Sequence, residues 1–328
     1  MTEHPPRDRA VPAEGGVLAA RPDLGGARAT PAFGLPDGAP SGLPAGLGST
    51  QIGRRTFTWG TRTYVMGIVN VTPDSFSGDG LLAGGDPVAA AVALATTMVG
   101  AGADILDVGG ESSRPGHAIV SSEDELARVV PVIRAVREAL PDTPISIDTS
   151  KPAVAAAAIG AGADLVNDVW GVAEDDVLAR LAAEHRVPIV VMHNRAEARY
   201  TTLLPEIVAD LQRAIERALA AGVAWDDIVI DPGFGFGKTA EHNLALLRDL
   251  ASLAILGRPI LLGTSRKSTL GRVLDLPADE RLEATLATTA LAIASGVDIV
   301  RVHDVRENVR AARIADAVVR GAWSDGAG

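Results

Sequence analysis

The feature that most constrains the fold is a regular alternation of two kinds of segment, which begins at Tyr64. Eight short runs rich in β-branched residues, each typical of a buried strand, follow one another: YVMGIVN, DILDVGG, PISID, DLVND, PIVVMH, DIVID, ILLGTS and DIVRVH. Alanine-rich stretches with a helical period lie between them: Asp86–Gly100, Glu123–Leu140, Ala153–Ala161, Glu206–Ala221 and Leu282–Ser295. We expect Ser122 and Glu125 to open the second of these helices as a capping box. The alternation predicts a chain built from repeated strand–helix units.

Eight strands, each followed by a helix, within about 250 residues favour a (β/α)₈ TIM barrel. The chain also repeats itself, because GAGADILDVGG, GAGADLVNDVWG and ASGVDIVRVHDV each place a glycine shortly before an Asp and a strand. The alternative is an open doubly wound sheet, which typically carries a G-x-G-x-x-G turn after its first strand. No such turn follows Asn70. We therefore predict the α/β class, with a single barrel domain over residues 53–323.

The segment before the barrel has a different composition. Residues 1–52 are rich in Pro, Gly and Ala and lack a sustained apolar period, so we expect a disordered tail. The start shows no charged segment followed by a continuous apolar run, and nowhere do 18 apolar residues follow one another. We therefore expect neither a secretory signal nor a membrane span.

Composition excludes several kinds of chemistry. Because the chain has no cysteine, it has no disulfide, no thiolate nucleophile and no Cys-ligated zinc or iron–sulfur cluster. Its formal net charge of −11 repels nucleic acid and anionic membranes, so neither is an expected partner. An anionic ligand would have to be held by a local cluster of basic residues.

The stretch DPGFGFGKT, Asp231 to Thr239, has the glycines and lysine of a phosphate-binding loop but not their spacing. Such a loop needs four residues between its first glycine and Gly-Lys, whereas Gly233 and Gly237 enclose three. We expect these glycines to let the loop turn sharply and bring its backbone close to a ligand. Three of the five phenylalanines, Phe76, Phe234 and Phe236, lie in predicted loops, which favours packing against a ring-shaped ligand.

A barrel places its functional groups at the C-terminal ends of its strands. Nearly every predicted strand ends in polar or charged residues: Asn70, Glu111, Ser113, Arg114, Asp148, Asn167, Asp168, His193, Asp231, Lys267, Arg301 and His303. Strand ends also meet solvent, so a network of solvated ion pairs is the alternative interpretation. Polar residues inside runs such as SID, VND and VRVH favour a site, because burying them without partners or a ligand is costly.

Two chemical subsets can be separated among these residues. One offers carboxylates, an amide and a cation, which suits the donor and acceptor edge of a flat heterocycle: Asp148, Asn167, Asp231 and Lys267. The other offers guanidinium, imidazole and hydroxyl donors, which suit a phosphate or pyrophosphate: Asn70, Ser113, Arg114, Arg301 and His303. The Asn70 amide oxygen is also a ligand suited to Mg²⁺ bound to that group. We expect His193 to be structural.

From Tyr64 to the last helix, the chain resembles the dihydropteroate synthases, which are pterin-binding enzymes of folate biosynthesis. The motifs that carry the resemblance occur in order: NVTPDSFS (70–77), GGESSRPG (109–116), SIDTSKP (146–152), NDVWG (167–171), MH (192–193), DPGFGFGK (231–238), TSRKS (264–268) and RVHDV (301–305). The resemblance implies a TIM barrel that condenses 6-hydroxymethyl-7,8-dihydropterin pyrophosphate with 4-aminobenzoate. It also implies Mg²⁺, a homodimer formed through outer helices and, with the absence of a targeting signal, a cytoplasmic location.

The resemblance also implies roles for individual residues. Pterin would be bound by Asp148, Asn167, Asp231 and Lys267, with Met192 and Arg301 flanking its ring. Pyrophosphate would be bound by Asn70, Ser113, Arg114, Arg301 and His303, with the metal near Asn70. Aminobenzoate would be bound by Arg114, Pro115, Phe236, Lys267 and Ser268. The residues expected to support catalysis are Asp231, Lys267, Arg301, His303 and Arg114.

Two loops of the chain differ from the family pattern. The first loop has GDG at 78–80, where family members more often have Asp directly after the serine, and the second has Ser113 where threonine is common. Two alternative functions are open at this point. One is a methyltetrahydrofolate:corrinoid methyltransferase, which would have no use for the cations Arg114, Lys267 and Arg301. The other is a non-catalytic pterin-binding paralogue, which would bind pterin without turnover.

Overall fold

The computed structural model of the chain describes residues 46–72, 86–111, 120–170 and 176–323, all of which belong to the unit Ser41–Gly328. The strands are β1 (Ser49–Ile52), β2 (Arg55–Thr58), β3 (Tyr64–Asn70), β4 (Ile105–Gly109), β5 (Ile145–Asp148), β6 (Leu165–Asp168), β7 (Ile189–Met192), β8 (Ile228–Asp231), β9 (Leu261–Leu262) and β10 (Ile299–Val302). The helices are α1 (Pro87–Gly100), α2 (Ser122–Ala139), α3 (Pro152–Ala161), α4 (Val177–His185), α5 (Leu203–Ala220), α6 (Ala240–Arg248), α7 (Ser268–Leu274), α8 (Leu282–Ala294) and α9 (Val305–Val319). Short 3₁₀ helices cover Trp225–Asp227, Leu250–Leu256 and Ala278–Glu280.

Strands β3 to β10 form one parallel sheet, in the order β8-β7-β6-β5-β4-β3-β10-β9. The sheet closes where Ile260, just before β9, bridges Ile230 of β8. The backbone N–H of Ile230 also donates to the carbonyl of Pro259 at 2.9 Å. The predicted eight-stranded barrel is therefore confirmed.

Side chains alternate between two apolar layers because successive residues of a strand face opposite sides of the sheet. One layer packs between the strands and the outer helices, and on β7 it includes Ile189 and Val191. The other fills the barrel interior: Tyr64, Met66, Ile105, Leu165, Val190, Val229, Leu261 and Ile299. Since the interior of a barrel of this size is filled by side chains, a ligand is accommodated only above this layer, at the C-terminal ends.

The Asp of each internal repeat has a structural role at the opposite, N-terminal end of the barrel. Asp104 accepts a hydrogen bond from the backbone N–H of Val65 at 2.8 Å, and Asp164 accepts one from Ile145 at 2.9 Å. Asp298 accepts one from the N–H of Ile260 at 3.1 Å. Each carboxylate thus links the entry of its own strand to the entry of a neighbouring strand.

The described residues already contain a strand before residue 53. Strand β1 lies within the segment that sequence analysis assigned to the tail, and it forms an antiparallel hairpin with β2. Ile52 and Phe57 of this hairpin are buried against Trp59 and Tyr64, so the hairpin covers the N-terminal end of the barrel interior. In β1 only Thr50 and Ile52 are buried, and an alternation of two residues is too short to predict a strand from the sequence. The expected disorder of residues 1–45 concerns a segment outside the described residues.

The start of α2 differs from the prediction. Its N-cap is Ser121, whose hydroxyl accepts from the N–H of Asp124 at 3.1 Å, so the expected Ser122–Glu125 capping box is wrong. Glu125 instead lies buried and pairs with Lys151 at 2.5 Å. Among the described helices, none combines the length and the apolar character needed to cross a bilayer.

Candidate active site

A layer of polar side chains lies directly above the apolar layer of the barrel interior. On β6, Leu165 belongs to the interior, so Asn167 two residues later also faces inward. The same alternation brings these residues to the C-terminal mouth: Asn70, Asp107, Ser146, Asp148, Asn167, Met192, Asp231 and Arg301. Of the predicted pterin residues that are short side chains, Asp148, Asn167 and Asp231 are all buried.

Arg301 is the centre of the polar layer. Its Nε donates to Asp107 Oδ2 at 2.5 Å, and its Nη2 donates to Asp148 Oδ2 at 2.6 Å. Asn167 Nδ2 donates to the same Asp107 oxygen at 3.2 Å. Although burial opposes the charge of Arg301, Asp107 and Asp148 raise its pKa. The arginine is therefore a fixed cation in the floor of the mouth.

Burial disfavours the charged forms of the other ionisable groups here. It raises the pKa of Asp148 to about 7, against the opposing charge of Arg301. It also raises the pKa of Asp231, which is opposed by Lys267 and by a hydrogen bond from the Gly233 N–H at 2.7 Å. The pKa of Lys267 is lowered to about 8 by burial. Charges held at this cost are typical of functional sites, where a ligand offsets the lost solvation.

Asp107 is fully buried in the middle of β4 and is not among the predicted site residues. Its Oδ2 holds both Arg301 and Asn167, while its Oδ1 has no hydrogen-bond partner among the described residues. The signal available in the sequence was an Asp inside the apolar run DILDVGG. Its role depends on a contact with Arg301 on β10, which lies on the other side of β3 and is 194 residues away in sequence, and local patterns do not predict such a contact.

The loop after β8 has a different role from the one predicted for its glycines. Gly233 and Gly237 have positive φ angles of 69° and 53°, and a Cβ at either would overlap the backbone of His193 or Arg195. The glycines therefore let the loop turn sharply, as expected, and allow it to pack closely against the chain that follows β7. The expected approach of this backbone to a ligand stays a prediction. Phe234 is fully buried in the layer against the helices, so the predicted packing of its ring against a ring-shaped ligand is wrong.

Phe236 and Lys267 meet at one side of the mouth. Phe236 is half-buried, and Lys267 Nζ lies 4.4 Å from the centroid of its ring. The same nitrogen donates to the backbone carbonyl of Phe234. Lys267 directly precedes α7, and Ser268 is the first, exposed residue of that helix. The chain thus presents an aromatic ring, a cation and a hydroxyl along one edge of the mouth.

His303 lies at the end of β10, next to the loop that carries Lys267. Ser265 Oγ is 3.0 Å from His303 Nδ1, and the His303 N–H donates to Ser265 Oγ at 3.2 Å. Arg266 makes two hydrogen bonds to the carboxylate of Asp304, at 3.1 and 2.5 Å. These contacts fasten the ends of β9 and β10 together, so that Lys267 and His303 lie on the same side of the barrel mouth.

Comparisons with known proteins agree with this arrangement. The family model "Pterin binding enzyme" matches residues 66–303. A dihydropteroate synthase of Clostridium beijerinckii is 51% identical over 271 residues, which cover 82% of this chain and 99% of the relative. The chain belongs to the dihydropteroate synthase family of pterin-binding enzymes.

Two solved structures of dihydropteroate synthases match the barrel closely. The enzyme from Clostridium difficile, crystallised in the presence of pteroic acid, is 49% identical with a TM-score of 0.76 over 80% of this chain and 99% of that chain. The enzyme from Xanthomonas albilineans with 4-aminobenzoic acid is 40% identical with a TM-score of 0.77, over 82% of this chain and 97% of that chain. Both support the family and the barrel assigned above.

Some expected dihydropteroate synthase residues lie outside the described part of the chain. Ser113, Arg114 and Pro115 belong to residues 112–119, and Phe76 and the GDG segment belong to residues 73–85. Their predicted roles remain predictions. Met192 is buried at the end of β7, and Asn70 is half-buried at the end of β3. His193, expected to be structural, is buried and bonds to Asp210 at 3.1 Å.

The donor set bears on how a family member would hold Mg²⁺. Within the described residues, no group of three His, Asp or Glu side chains could enclose a metal ion. Asn70 provides a single neutral amide oxygen at the mouth. Mg²⁺ keeps several waters and often needs only one or two protein ligands when substrate phosphates supply the others. The residues present therefore fit an ion that arrives with a pyrophosphate.

Proposed function

We propose that this chain condenses 6-hydroxymethyl-7,8-dihydropterin pyrophosphate with 4-aminobenzoate to give 7,8-dihydropteroate and pyrophosphate. The observation that carries the proposal is the buried polar layer at the barrel mouth, where Asp148, Asn167, Asp231 and Arg301 converge above an apolar floor. As a member of this family, the chain is a transferase of folate biosynthesis.

We assign pterin binding to the floor of the mouth. A dihydropterin presents N–H donors and a carbonyl in one plane, and the carboxylates of Asp148 and Asp231 are acceptors of the right kind. Asn167 and Lys267 add an amide and a cation, and Met192 and Arg301 flank the ring. Burial of these groups supports the proposal, because hydrogen bonds to charged groups are strongest where water is excluded.

We assign the pyrophosphate to the rim of the mouth. His303 lies there, two residues beyond Arg301 of the floor, and the proposal adds Ser113 and Arg114 from the loop after β4. Asn70 would supply an oxygen ligand to Mg²⁺ bound to the phosphates. When bound, the ion would neutralise charge on the leaving group. Arg301, with its pKa raised by Asp107 and Asp148, is a permanent cation that helps to do the same.

We propose a dissociative, S_N1-like displacement. The bond between the methylene carbon and the pyrophosphate oxygen breaks, and its electron pair leaves with the oxygen. The positive charge left on the methylene is delocalised into the electron-rich dihydropterin. The amine nitrogen of 4-aminobenzoate then donates its lone pair to the carbon and loses a proton to solvent.

The residues therefore contribute mainly by positioning and electrostatics. An arylamine is already unprotonated at neutral pH, so the reaction needs no strong general base. Phe236, Lys267 and Ser268 form the proposed aminobenzoate side of the pocket, together with Arg114 and Pro115. Rates that do not depend on the basicity of substituted anilines are expected; a strong dependence would contradict the dissociative form.

The proposal includes a homodimer and a cytoplasmic location. Exposed apolar side chains on the neighbouring helices α8 and α9 support a contact between copies: Leu291, Ile314 and Val318 are 52%, 70% and 79% exposed. Apolar side chains grouped on neighbouring exposed helices are a common feature of contacts between proteins. Ile314→Lys is expected to shift the mass measured by light scattering from dimer to monomer. The location rests on the resemblance to folate enzymes.

Pyrophosphate release tests the function. We expect purified protein to release pyrophosphate from the dihydropterin substrate only with Mg²⁺, and to form dihydropteroate when 4-aminobenzoate is present. Chelation of the metal is the control. Pterin binding without any turnover would overturn the proposal in favour of a binding paralogue.

A further inference from the structure

We propose that Lys238 and His193 are positioning residues that fix the loop 233–237, and with it the Phe236 ring, for the arylamine substrate. The inference rests on the proposed function, because it assigns Phe236 to the aminobenzoate side of the pocket. Neither residue lies in the polar layer of the barrel mouth described above. Both act through the backbone of the loop that follows β8.

Lys238 holds the loop by three contacts. Its Nζ donates to the carbonyls of Gly233 at 3.0 Å and Phe236 at 3.1 Å, and it lies 2.8 Å from His193 Nδ1. An ammonium carries three hydrogens, so three acceptors satisfy it fully. Burial lowers the pKa of Lys238 to about 7, while the charges of Asp231 and Asp210 act in the opposite direction. One side chain thereby joins both ends of the loop and ties them to the end of β7.

His193 can accept from Lys238 only in one tautomer. Its Nε2 lies 3.1 Å from Asp210 Oδ2 on α5, so the proton on Nε2 donates to that carboxylate and Nδ1 is left as an acceptor. Burial lowers the pKa of His193 to about 4, which keeps the ring neutral. Asp210 is itself held by Arg195, whose Nε donates to Oδ2 at 2.8 Å. The tautomer is thus fixed from α5.

Other contacts leave the loop little freedom to move without Lys238 moving too. The Tyr200 hydroxyl donates to the carbonyl of Gly237 at 2.8 Å, and the Gly235 N–H donates to Asn243 Oδ1 at 2.8 Å. Gly233 and Gly237 pack directly against the backbone that carries His193. Phe236 is the side chain that this framework presents beside Lys267. Loosening the framework should therefore affect the arylamine before it affects the pterin.

Lys238→Met tests the first part, since it keeps an unbranched side chain and removes all three donors. We expect the KM for 4-aminobenzoate to rise about tenfold or more, while the KM for the dihydropterin substrate changes by less than about threefold. Melting temperatures measured in parallel show whether the variant folds.

A matched pair at His193 tests the tautomer argument. The Oδ1 of asparagine can occupy the place of Nδ1 and accept from Lys238, whereas glutamine places its amide near Nε2 and leaves Lys238 without that acceptor. We expect His193→Asn to keep the KM for 4-aminobenzoate near that of the unaltered chain and His193→Gln to raise it. A role in folding alone would lower the melting temperature of both and would not separate them.

Direct binding keeps this test independent of turnover. Titration calorimetry with 4-aminobenzoate, in the presence of 6-hydroxymethylpterin and pyrophosphate, should show the same weakening in Lys238→Met and His193→Gln. Equal rises in both KM values, or unchanged 4-aminobenzoate affinity in folded Lys238→Met, would overturn the inference. Absence of turnover in the unaltered chain would count against the proposed reaction only, because the affinities still decide the role of the lysine.

Discussion

Buried carboxylates occur at both ends of the barrel, and the two ends satisfy them in different ways. At the N-terminal end, Asp316 accepts from the N–H of Thr63 at 2.7 Å, from its hydroxyl at 2.8 Å and from Arg320 Nε at 2.9 Å. At the C-terminal end, burial raises the pKa values of Asp148 and Asp231, which favours their neutral forms.

The difference separates stability from function. At the N-terminal end, Asp104, Asp164 and Asp316 each pair with an arginine and bind the backbone, so the folded protein itself compensates for their lost solvation. Asp298 is the exception there, since burial raises its pKa. Carboxylates at the C-terminal end retain a cost that a bound ligand would remove. Substitutions at the N-terminal end should therefore change mainly the free energy of unfolding, and substitutions at the C-terminal end should change mainly turnover.

The largest expected effect is on turnover at the C-terminal end. Asp231→Asn and Lys267→Ala should each lower kcat/KM by about 10²–10³, the usual loss when one preorganised electrostatic contact is removed. Burial raises the pKa of Asp231 in the folded state above its unfolded value. The free energy of unfolding therefore falls as the pH rises from the unfolded pKa of this group to its folded pKa. At neutral pH, the free energy of unfolding of Asp231→Asn should therefore equal or exceed that of the unaltered chain. Loss of stability in step with turnover would break the comparison.

The next effect is on stability at the N-terminal end. Asp316→Ala leaves the Arg320 guanidinium buried without its carboxylate, and we expect a loss of about 3 kcal/mol in the free energy of unfolding, measured with urea. The kcat of the folded fraction should stay the same. Asp142→Ala is the control, since its ion pair with Arg54 is solvent-exposed and should contribute less than about 1 kcal/mol.

A pH titration sharpens the account of the C-terminal end. If pterin N–H groups bind the carboxylate form of Asp148, whose pKa is raised to about 7, binding should weaken as pH falls below that value. The Kd of 6-hydroxymethylpterin should be about tenfold higher at pH 6 than at pH 8, because only the ionised fraction binds. Asp148→Asn should bind more weakly with a smaller slope. A flat profile for the unaltered chain would contradict this account.

The sequence predicted the barrel because its strongest signal is repetitive and local. Each strand run carries its own apolar pattern, so eight runs give eight independent indications of the same fold. The strand-end rule then selected Asp148, Asn167, Asp231 and Arg301 without any knowledge of contacts, since all parallel strands end on one face. The repeated Asp at the strand entries was visible as well, although its hydrogen bonds to neighbouring strands were not.

What the sequence did not predict depends on contacts between distant segments. Asp107 matters because β4 and β10 both flank β3, which brings Arg301 to its carboxylate. Phe234 and Phe236 are two residues apart in one loop, yet the first is buried against the helices and the second is half-buried beside Lys267. Composition cannot distinguish them, because the direction of each ring is set by glycines with positive φ angles.

The smallest expected effect concerns the two tyrosines of the chain, one near each end of the barrel. The hydroxyl of Tyr64 accepts from the N–H of Thr58 at 2.9 Å, beside the N-terminal hairpin, and that of Tyr200 donates to Gly237 in the loop after β8. Removing either oxygen by substitution with phenylalanine should cost about 1 kcal/mol in the free energy of unfolding. Only Tyr200→Phe should raise the KM for 4-aminobenzoate, because only its hydrogen bond holds the loop that carries Phe236. Measured side by side, equal KM values in the two variants would show that the loop does not depend on this contact.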